Sequence, residues 1–296
     1  MPGDEVITAA NTFVATVGAI NEIGAIPIFV DVDETFCMNT KLIESAITER
    51  TRAIVPVHFS GYMTNMEHVM NIADKHNLIV VEDACQAILA EWKGKKSGTW
   101  GNASAFSLHP LKNLNVWSDG GMIVTDNKEL DARLRLLRNH GLVDRNHVAE
   151  LGYNSRLDTF QAIVGSWLLP KAYEISLKRI ENARLLDEGL GQIEQIRIPA
   201  RPPSQRIVYH LYMVHAKSRD ELLSYCQNHG VEAKVHYPIP IYKQRALDAF
   251  TRGQVFPVTD SQATSLISFP CDQHLTKKDI LEIVDTVKSF YKQNVN

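Results

Sequence analysis

Several kinds of chemistry can be set aside because the chain lacks the residues for them. Its four cysteines, Cys37, Cys85, Cys226 and Cys271, are scattered and form no C-x-x-C pair. That argues against a disulfide framework and a zinc ribbon, and it fits a reducing compartment. The net charge is only −3, and the isoelectric point near 6.4 offers no basic surface for nucleic acid and no attraction to an anionic membrane. No apolar run approaches the length of a bilayer span. The start, MPGDEVITAANTF, has neither the basic segment nor the apolar core of a secretory signal. A soluble, cytoplasmic protein is the expectation. No G-x-G-x-x-G or G-x-x-x-x-G-K-[ST] loop occurs, and the basic turn KGKKSG reads as a hairpin with Lys93, Lys95 and Lys96 in solvent. The eleven histidines show no H-x-H or H-E-x-x-H spacing, and no G-x-S-x-G elbow is present. Metal and serine hydrolase readings therefore lack support.

What the chain does have is alternation. The 296 residues, 45% hydrophobic and 22% charged, suffice for one large domain and one small one. EVITA, IPIFVDV, RAIVPVHF and LIVVEDA read as strands buried on both faces, interleaved with helices over FVATVGAINEIG, TKLIESAIT and NMEHVMNIADKHN. This predicts an α/β fold, a mostly parallel doubly wound sheet over residues 1–170. A long helical stretch broken at Pro170 follows, then a surface connection, IRIPARPPSQ. Strand, helix and strand over IVYHLYMVHA, SRDELLSYCQNHG and VEAKVHYPI, then a final helix, make residues 171–296 a smaller α+β unit. In doubly wound sheets ligands lie beyond the carboxyl ends of the strands.

Three segments reach that edge. IFVDVDET places Asp31, Asp33 and Thr35 at a strand end, as in aspartate-nucleophile phosphatases; the other reading is a turn through aspartates, and the second is favoured. In VVEDA, Glu82 and Asp83 point to opposite faces, so one carboxylate alone can serve the edge. Asp83 is either a helix cap or a functional carboxylate, with Gln86 one turn on. FSLHPLKNL carries Lys112 in a loop poor in other charge. It is either a solvated lysine or an amine held in a cleft for Schiff-base chemistry. A strand-end carboxylate and a loop lysine together suggest pyridoxal phosphate, with the carboxylate keeping the pyridine nitrogen protonated. Ser107 is a candidate donor to the cofactor's phosphate.

PGDEVITAANTFVAT, IFVDVDETF, RAIVPVHFSGYMTNM, VVEDACQA, FSLHPLKNL, SDGGMIVTDN, LRNHG, GYNSRLDTFQA and VHYPIPIY, taken in order, resemble the DegT/DnrJ/EryC1/StrS sugar aminotransferases of fold-type I. The resemblance runs almost end to end and implies a pyridoxal 5'-phosphate enzyme that moves an amino group from glutamate to a keto sugar, usually nucleotide-linked, for amino-sugar and cell-surface polysaccharide synthesis. The family has DVD without phosphatase activity. By the same resemblance Lys112 is the Schiff-base lysine, Asp83 the partner of the ring nitrogen and Gln86 the donor to the ring hydroxyl. Phe13 is the aromatic stacked on the ring (otherwise a core aromatic at a helix start), and Ser107 is a phosphate ligand. Asn154 reaches the neighbouring subunit's cofactor, which implies a homodimer. His236 and Tyr237 lie near the substrate entrance.

The chain departs from the family in two places. Members usually carry several dozen residues before PGDEVI, with a Ser-Gly-Thr helix start that cradles the phosphate; this sequence begins at Met1-Pro2-Gly3. From that departure comes a rival expectation, a catalytically impaired family fragment acting as a binding partner. Trp117-Ser118 also precedes Asp119 where the family has Gly-Glu or Gly-Asp, a loop expected to suit a different acceptor, such as the precursor of an 8-amino-octulosonate.

Overall fold

The β-branched runs form short buried strands, and the connections between them form helices. The computed structural model describes residues 1–251 and 253–293. In it, β1 (Glu5–Ala9) leads through α1 (Val14–Glu22) to β2 (Ile26–Val30), followed by β3 (Thr51–Val55), α2 (Met66–His76) and β4 (Ile79–Asp83). The hairpin of β5 (Glu91–Trp92) and β6 (Lys95–Lys96) turns at Lys93-Gly94, whose positive φ values of 48° and 80° match the twist of the flanking strands. Then come β7 (Ala103–Ser107), β8 (Gly121–Val124) and α3 (Lys128–Leu137).

Among the described residues the main sheet has six strands in the order β2-β1-β3-β4-β7-β8. Pairing is parallel from β2 to β7, and β8 runs antiparallel to β7. The carboxyl ends of β1, β4 and β7 therefore open on one edge of the sheet. Beneath it, Ile7, Ile54 and Val80 pack against Met66, Val69 and Ile72 of α2. Side chains of Asn65, Asn127 and Asp158 cap the starts of α2, α3 and the next helix, α4 (Thr159–Leu168).

As the Pro170 break predicts, a single 3₁₀ turn, Leu169–Lys171, separates α4 from α5 (Ala172–Leu190). The rest is β9 (Ile196–Arg197), β10 (Gln205–Arg206), β11 (Tyr212–Ala216), α6 (Arg219–Asn228), α7 (Asp248–Thr251), α8 (Pro257–Ser265), β12 (Leu266–Phe269) and α9 (Lys277–Gln293). A second sheet has the order β12-β11-β9, while β10 joins the β5–β6 hairpin. The core around α5 and α9 also takes in Val57, Phe59 and Tyr62 from the first half, so the two halves share buried surface.

Three local expectations are corrected. TKLIESAIT forms two 3₁₀ turns, Thr40–Leu42 and Glu44–Ala46, because Asn39 caps Lys41 and Ser45 bonds back to the Leu42 carbonyl at 2.8 Å. VEAKVHYPI is not a strand. It touches β12 by the single bridge Lys234–Ser268, and Pro238 and Pro240 lack the N–H that a ladder needs. IRIPARPPSQ is more than a surface connection. Arg201 donates to Asp187 at 2.9 and 3.0 Å and to the Tyr62 hydroxyl, and it packs over the rings of Tyr62, Tyr209 and Tyr212.

The two edges of the main sheet differ. Beyond β2, Asp31 accepts the Val258 and Thr259 N–H groups, both at 2.9 Å, and the Thr259 hydroxyl at 2.7 Å, so it caps α8 over that edge. Asp33 closes a turn onto Thr35. These bonds fit the turn reading of DVDET and leave Asp31 engaged. At the other edge every residue of β8 is exposed, Ile123 at 58%.

Candidate active site

Pro56 ends β3 as a regular strand, but the chain runs on beside β4 by one parallel bridge, Val57–Asp83. Asp83 N–H donates to the Pro56 carbonyl at 3.0 Å, and His58 N–H donates to the Asp83 carbonyl at 3.0 Å. The end of β4 is thus fixed to the chain after β3, and on its other side Ala84 N–H donates to the Ala105 carbonyl of β7 at 3.0 Å. Glu82 turns inward, as the strand period predicts. Wholly buried, it meets His58 Nε2 at 2.9 Å and accepts the N–H groups of Gly98, Trp100 and Gly101. Its burial raises the carboxyl's pKa, but His58 and these amides outweigh that and hold it below its ordinary value.

Asp83 turns the other way. The Thr16 hydroxyl of α1 donates to it at 2.7 Å and the Cys85 N–H at 3.1 Å, and Thr16 shares a further 2.7 Å bond with Thr12. Gln86 accepts the Ser60 N–H on Oε1 at 2.6 Å and interacts through its side-chain amide with the Tyr237 hydroxyl. Ser107 ends β7 and accepts the His109 N–H at 3.2 Å.

Lys112 is held in a turn by its N–H to the His109 carbonyl at 2.9 Å, and Asn115 donates to the Lys112 carbonyl at 2.9 Å. The next residue, Asn113, donates to the Val208 carbonyl at 2.8 Å and ties the loop to the second half. The Lys112 side chain is half-buried and makes no hydrogen bond or ion pair with another described residue. Burial pushes its pKa down, against the opposing pull of Cys85 and Asp83. Of the two readings of this lysine, the cleft amine is the one that the geometry fits.

Phe13 precedes α1 and is 53% exposed, so it is no core aromatic; its ring centroid lies 6.2 Å from that of Tyr237. Tyr237 also packs on Phe59 at 6.0 Å, and burial pushes its hydroxyl up to about 12. His236 Nδ1 pairs with the Ser268 hydroxyl at 2.9 Å; burial first, then Lys234 and Lys112, lower its pKa to about 4.

Asn154 apart, all these sequence-predicted residues line one cleft of about 430 Å³. Asn154 lies instead in a neighbouring groove of about 640 Å³ beside β8, where it accepts from Arg156 at 2.9 Å; the two spaces share Asp119 and Gly120. Trp117 is 81% exposed and lines a third groove with Trp167 and Lys171, while Asp119 of the same loop lines the cleft. Sequence reasoning missed Thr16, Ser60, Asn113 and His210. Thr16 stands inside the quoted NTFVAT, but the other three act across more than twenty residues of chain and leave no spacing to read.

The donor set suits pyridoxal phosphate. It comprises a fixed carboxylate, a side-chain amide, an unpaired desolvated amine, a hydroxyl and an exposed aromatic, all around one cleft. Among the described residues no group of three or more His, Cys, Asp or Glu side chains is placed to hold a metal, and no helix is long and apolar enough to cross a membrane.

Comparison with known proteins agrees with this geometry. The model of the DegT/DnrJ/EryC1/StrS aminotransferase family matches residues 1–288. A UDP-N-acetyl-3-dehydro-alpha-D-glucosamine 3-aminotransferase of Acidithiobacillus ferrooxidans is 38% identical over 97% of this chain and 78% of its own length. A pleiotropic regulatory protein of Geobacillus stearothermophilus is 39% identical over 98% and 79%. Among solved structures, DesV of Streptomyces venezuelae in complex with a ketimine intermediate superposes with a TM-score of 0.94 at 36% identity, over 98% of this chain and 78% of that one.

Proposed function

Because this chain belongs to the DegT/DnrJ/EryC1/StrS aminotransferase family, whose members depend on pyridoxal phosphate, we propose that it is a sugar aminotransferase. Its amino donor is glutamate and its acceptor a nucleotide-linked keto sugar, in the synthesis of an amino sugar for a cell-surface polysaccharide. The observation that carries this reading is the meeting of Lys112 and Asp83 in one cleft, the amine unpaired and the carboxylate anchored by Thr16. When bound, pyridoxal phosphate supplies a ring that accepts the electrons left on a carbon losing its proton. Asp83 would keep a proton on the ring nitrogen, and Lys112 would hold the group covalently and move a proton at the reacting carbon. Gln86 would donate to the ring oxygen and Ser107 to the phosphate, and Phe13 would cover the ring face. His236 and Tyr237 line the acceptor's path.

Asn154 serves a second copy of the chain. Supporting this, Leu151, Tyr153, Phe160 and Trp167, in the same stretch of chain, leave large apolar side chains exposed. The working protein is then a homodimer, with residues 1–170 as the cofactor-binding domain and 171–296 as the smaller one. The four free cysteines fit a cytoplasmic setting.

Added pyridoxal phosphate should give a visible absorbance band that borohydride fixes to Lys112. Lys112→Ala should lose both the fixed label and amino transfer from glutamate. Amino transfer to a keto sugar that survives in Lys112→Ala would sink the reading.

A further inference from the structure

Beside the cleft lies a second chamber of about 490 Å³, and the two spaces share Thr12, Phe13 and Tyr237. A ligand that reacts at Lys112 and is too long for the 430 Å³ cleft can therefore extend past these residues into the chamber. Two segments line the rest of it, the start of α1 and the chain from Tyr237 to Ala246. Val14 and Ile239, 57% and 53% exposed, and the buried Ile241 give the chamber an apolar surface.

Among the described residues Arg245 is the one charged side chain in this lining, and no carboxylate joins it. Its guanidinium makes no hydrogen bond or ion pair with another described residue. The nearby Lys243 is engaged elsewhere: its Nζ meets Asp260 at 2.7 Å. The backbone that carries Arg245 is held in place. Leu247 ends the 3₁₀ turn Arg245–Leu247, packs in a buried cluster with Phe29, Ile241 and Tyr242, and donates its N–H to the Gln244 carbonyl at 2.8 Å.

An apolar wall with one unpaired cation suits a ligand that is flat and apolar at one end and anionic close by. A neutral sugar offers the guanidinium no charged partner. A free sugar acid offers a carboxylate but nothing to cover the apolar wall. A nucleoside diphosphate offers both, a base for the wall and phosphate oxygens that match the guanidinium fork. We infer that this chamber is the subsite for the nucleoside diphosphate of the acceptor, with Arg245 binding its phosphates and Val14, Ile239 and Ile241 receiving its base. The inference rests on the nucleotide-linked acceptor proposed above and makes Arg245 the residue that favours such sugars over free ones.

The test measures binding without turnover, on protein saturated with added pyridoxal phosphate so that the probes do not occupy the cofactor's place. UDP and dTDP are the probes, and uridine and thymidine, which lack the diphosphate, are the controls; saturation-transfer NMR titrations read them all. At least one diphosphate should bind, and more tightly than its nucleoside. Arg245→Gln should weaken that diphosphate about ten- to a hundredfold, the scale of one charge-assisted hydrogen bond, and leave the nucleoside within about twofold of the parent. Ile239→Asp should weaken both. Arg245 is exposed, so the urea midpoint of Arg245→Gln should match the parent's. An equal loss for diphosphate and nucleoside in Arg245→Gln would overturn the inference, because the arginine would then only shape the loop. So would an unchanged diphosphate affinity in that variant, or a parent protein that binds neither diphosphate. The borohydride label on Lys112 reports separately: if it persists while the nucleotide results fail, the subsite falls and the aminotransferase reading stands.

Discussion

Glu82 and Asp83 are consecutive residues of β4, yet their carboxylates meet different surroundings. One faces the interior, wholly buried against His58 and three backbone amides. The other faces the cleft, steadied by one hydroxyl and one amide, with its remaining bonding capacity unspent. The pleat of the strand separates structural from chemical use of the same functional group. A carboxylate with every lone pair engaged makes architecture, and one left partly unsatisfied is available to a ligand.

The comparison breaks most visibly by removing the inner partner. Glu82→Ala leaves His58 and three N–H groups without their acceptor. It should cost about 3–5 kcal/mol of stability, the scale for opening a buried pair, read as a lowered urea midpoint. Asp83→Asn should do the reverse. Its unfolding midpoint should stay with the parent, while amino transfer falls by about 10²–10³-fold, within the range for a proton-holding group. If Asp83→Asn unfolds the protein and Glu82→Ala merely slows it, the assignment of the two carboxylates is inverted.

Thr16→Val sharpens the contrast further. It removes a 2.7 Å charge-assisted bond to Asp83 and nothing at Glu82. Cofactor affinity, titrated by the visible band, should weaken by about one to two decades, for a bond of roughly 1.5–3 kcal/mol, with little change in the melting temperature.

The smallest expected effect is in the acid limb of stability. The folded pKa of Glu82 lies below its unfolded value of 4.5, so its contribution is complete above pH 4.5 and disappears as pH falls through the folded value. His215, lowered by burial to about 4 from an unfolded 6.5, has the same sign in a higher window: its contribution is complete above pH 6.5 and is lost on the way down to 4. Urea midpoints measured against pH should therefore lose slope between 6.5 and 4 in His215→Asn, and below 4.5 in Glu82→Gln. A shared window for the two variants would contradict this assignment.

Much of the first half was readable because it depends on local pattern. The Ile/Val runs give the strands, Asn65 a helix start, Lys93-Gly94 the hairpin, and Pro170 the break. Residues at strand ends were readable for the same reason, since the sheet delivers Asp83 and Ser107 to one edge. Failures arose where a partner distant in sequence decides, or where a side chain bonds its own backbone in place of a helix. The capping of α8 by Asp31 spans 228 positions to Thr259, and TKLIESAIT lost its helix to side chains that bond their own backbone. HYP was misread as strand because pairing with β12 stops at one bridge. His210 gave no signal because its place in the cleft comes from four fastenings of its segment contributed by Asn113, Gly61, Arg179 and Ser60.

The exposed β8 has a practical consequence for handling the molecule. On the side away from β7, its amides and carbonyls have no strand partner among the described residues, and Met122, Ile123 and Val124 place apolar side chains beside them. Such a row is a template for extended polypeptide, so colloidal behaviour should be set at this edge and not by the net charge of −3. A single gatekeeper lysine, Ile123→Lys, should raise the concentration at which light scattering begins, while folding stability stays within about 0.5 kcal/mol of the parent.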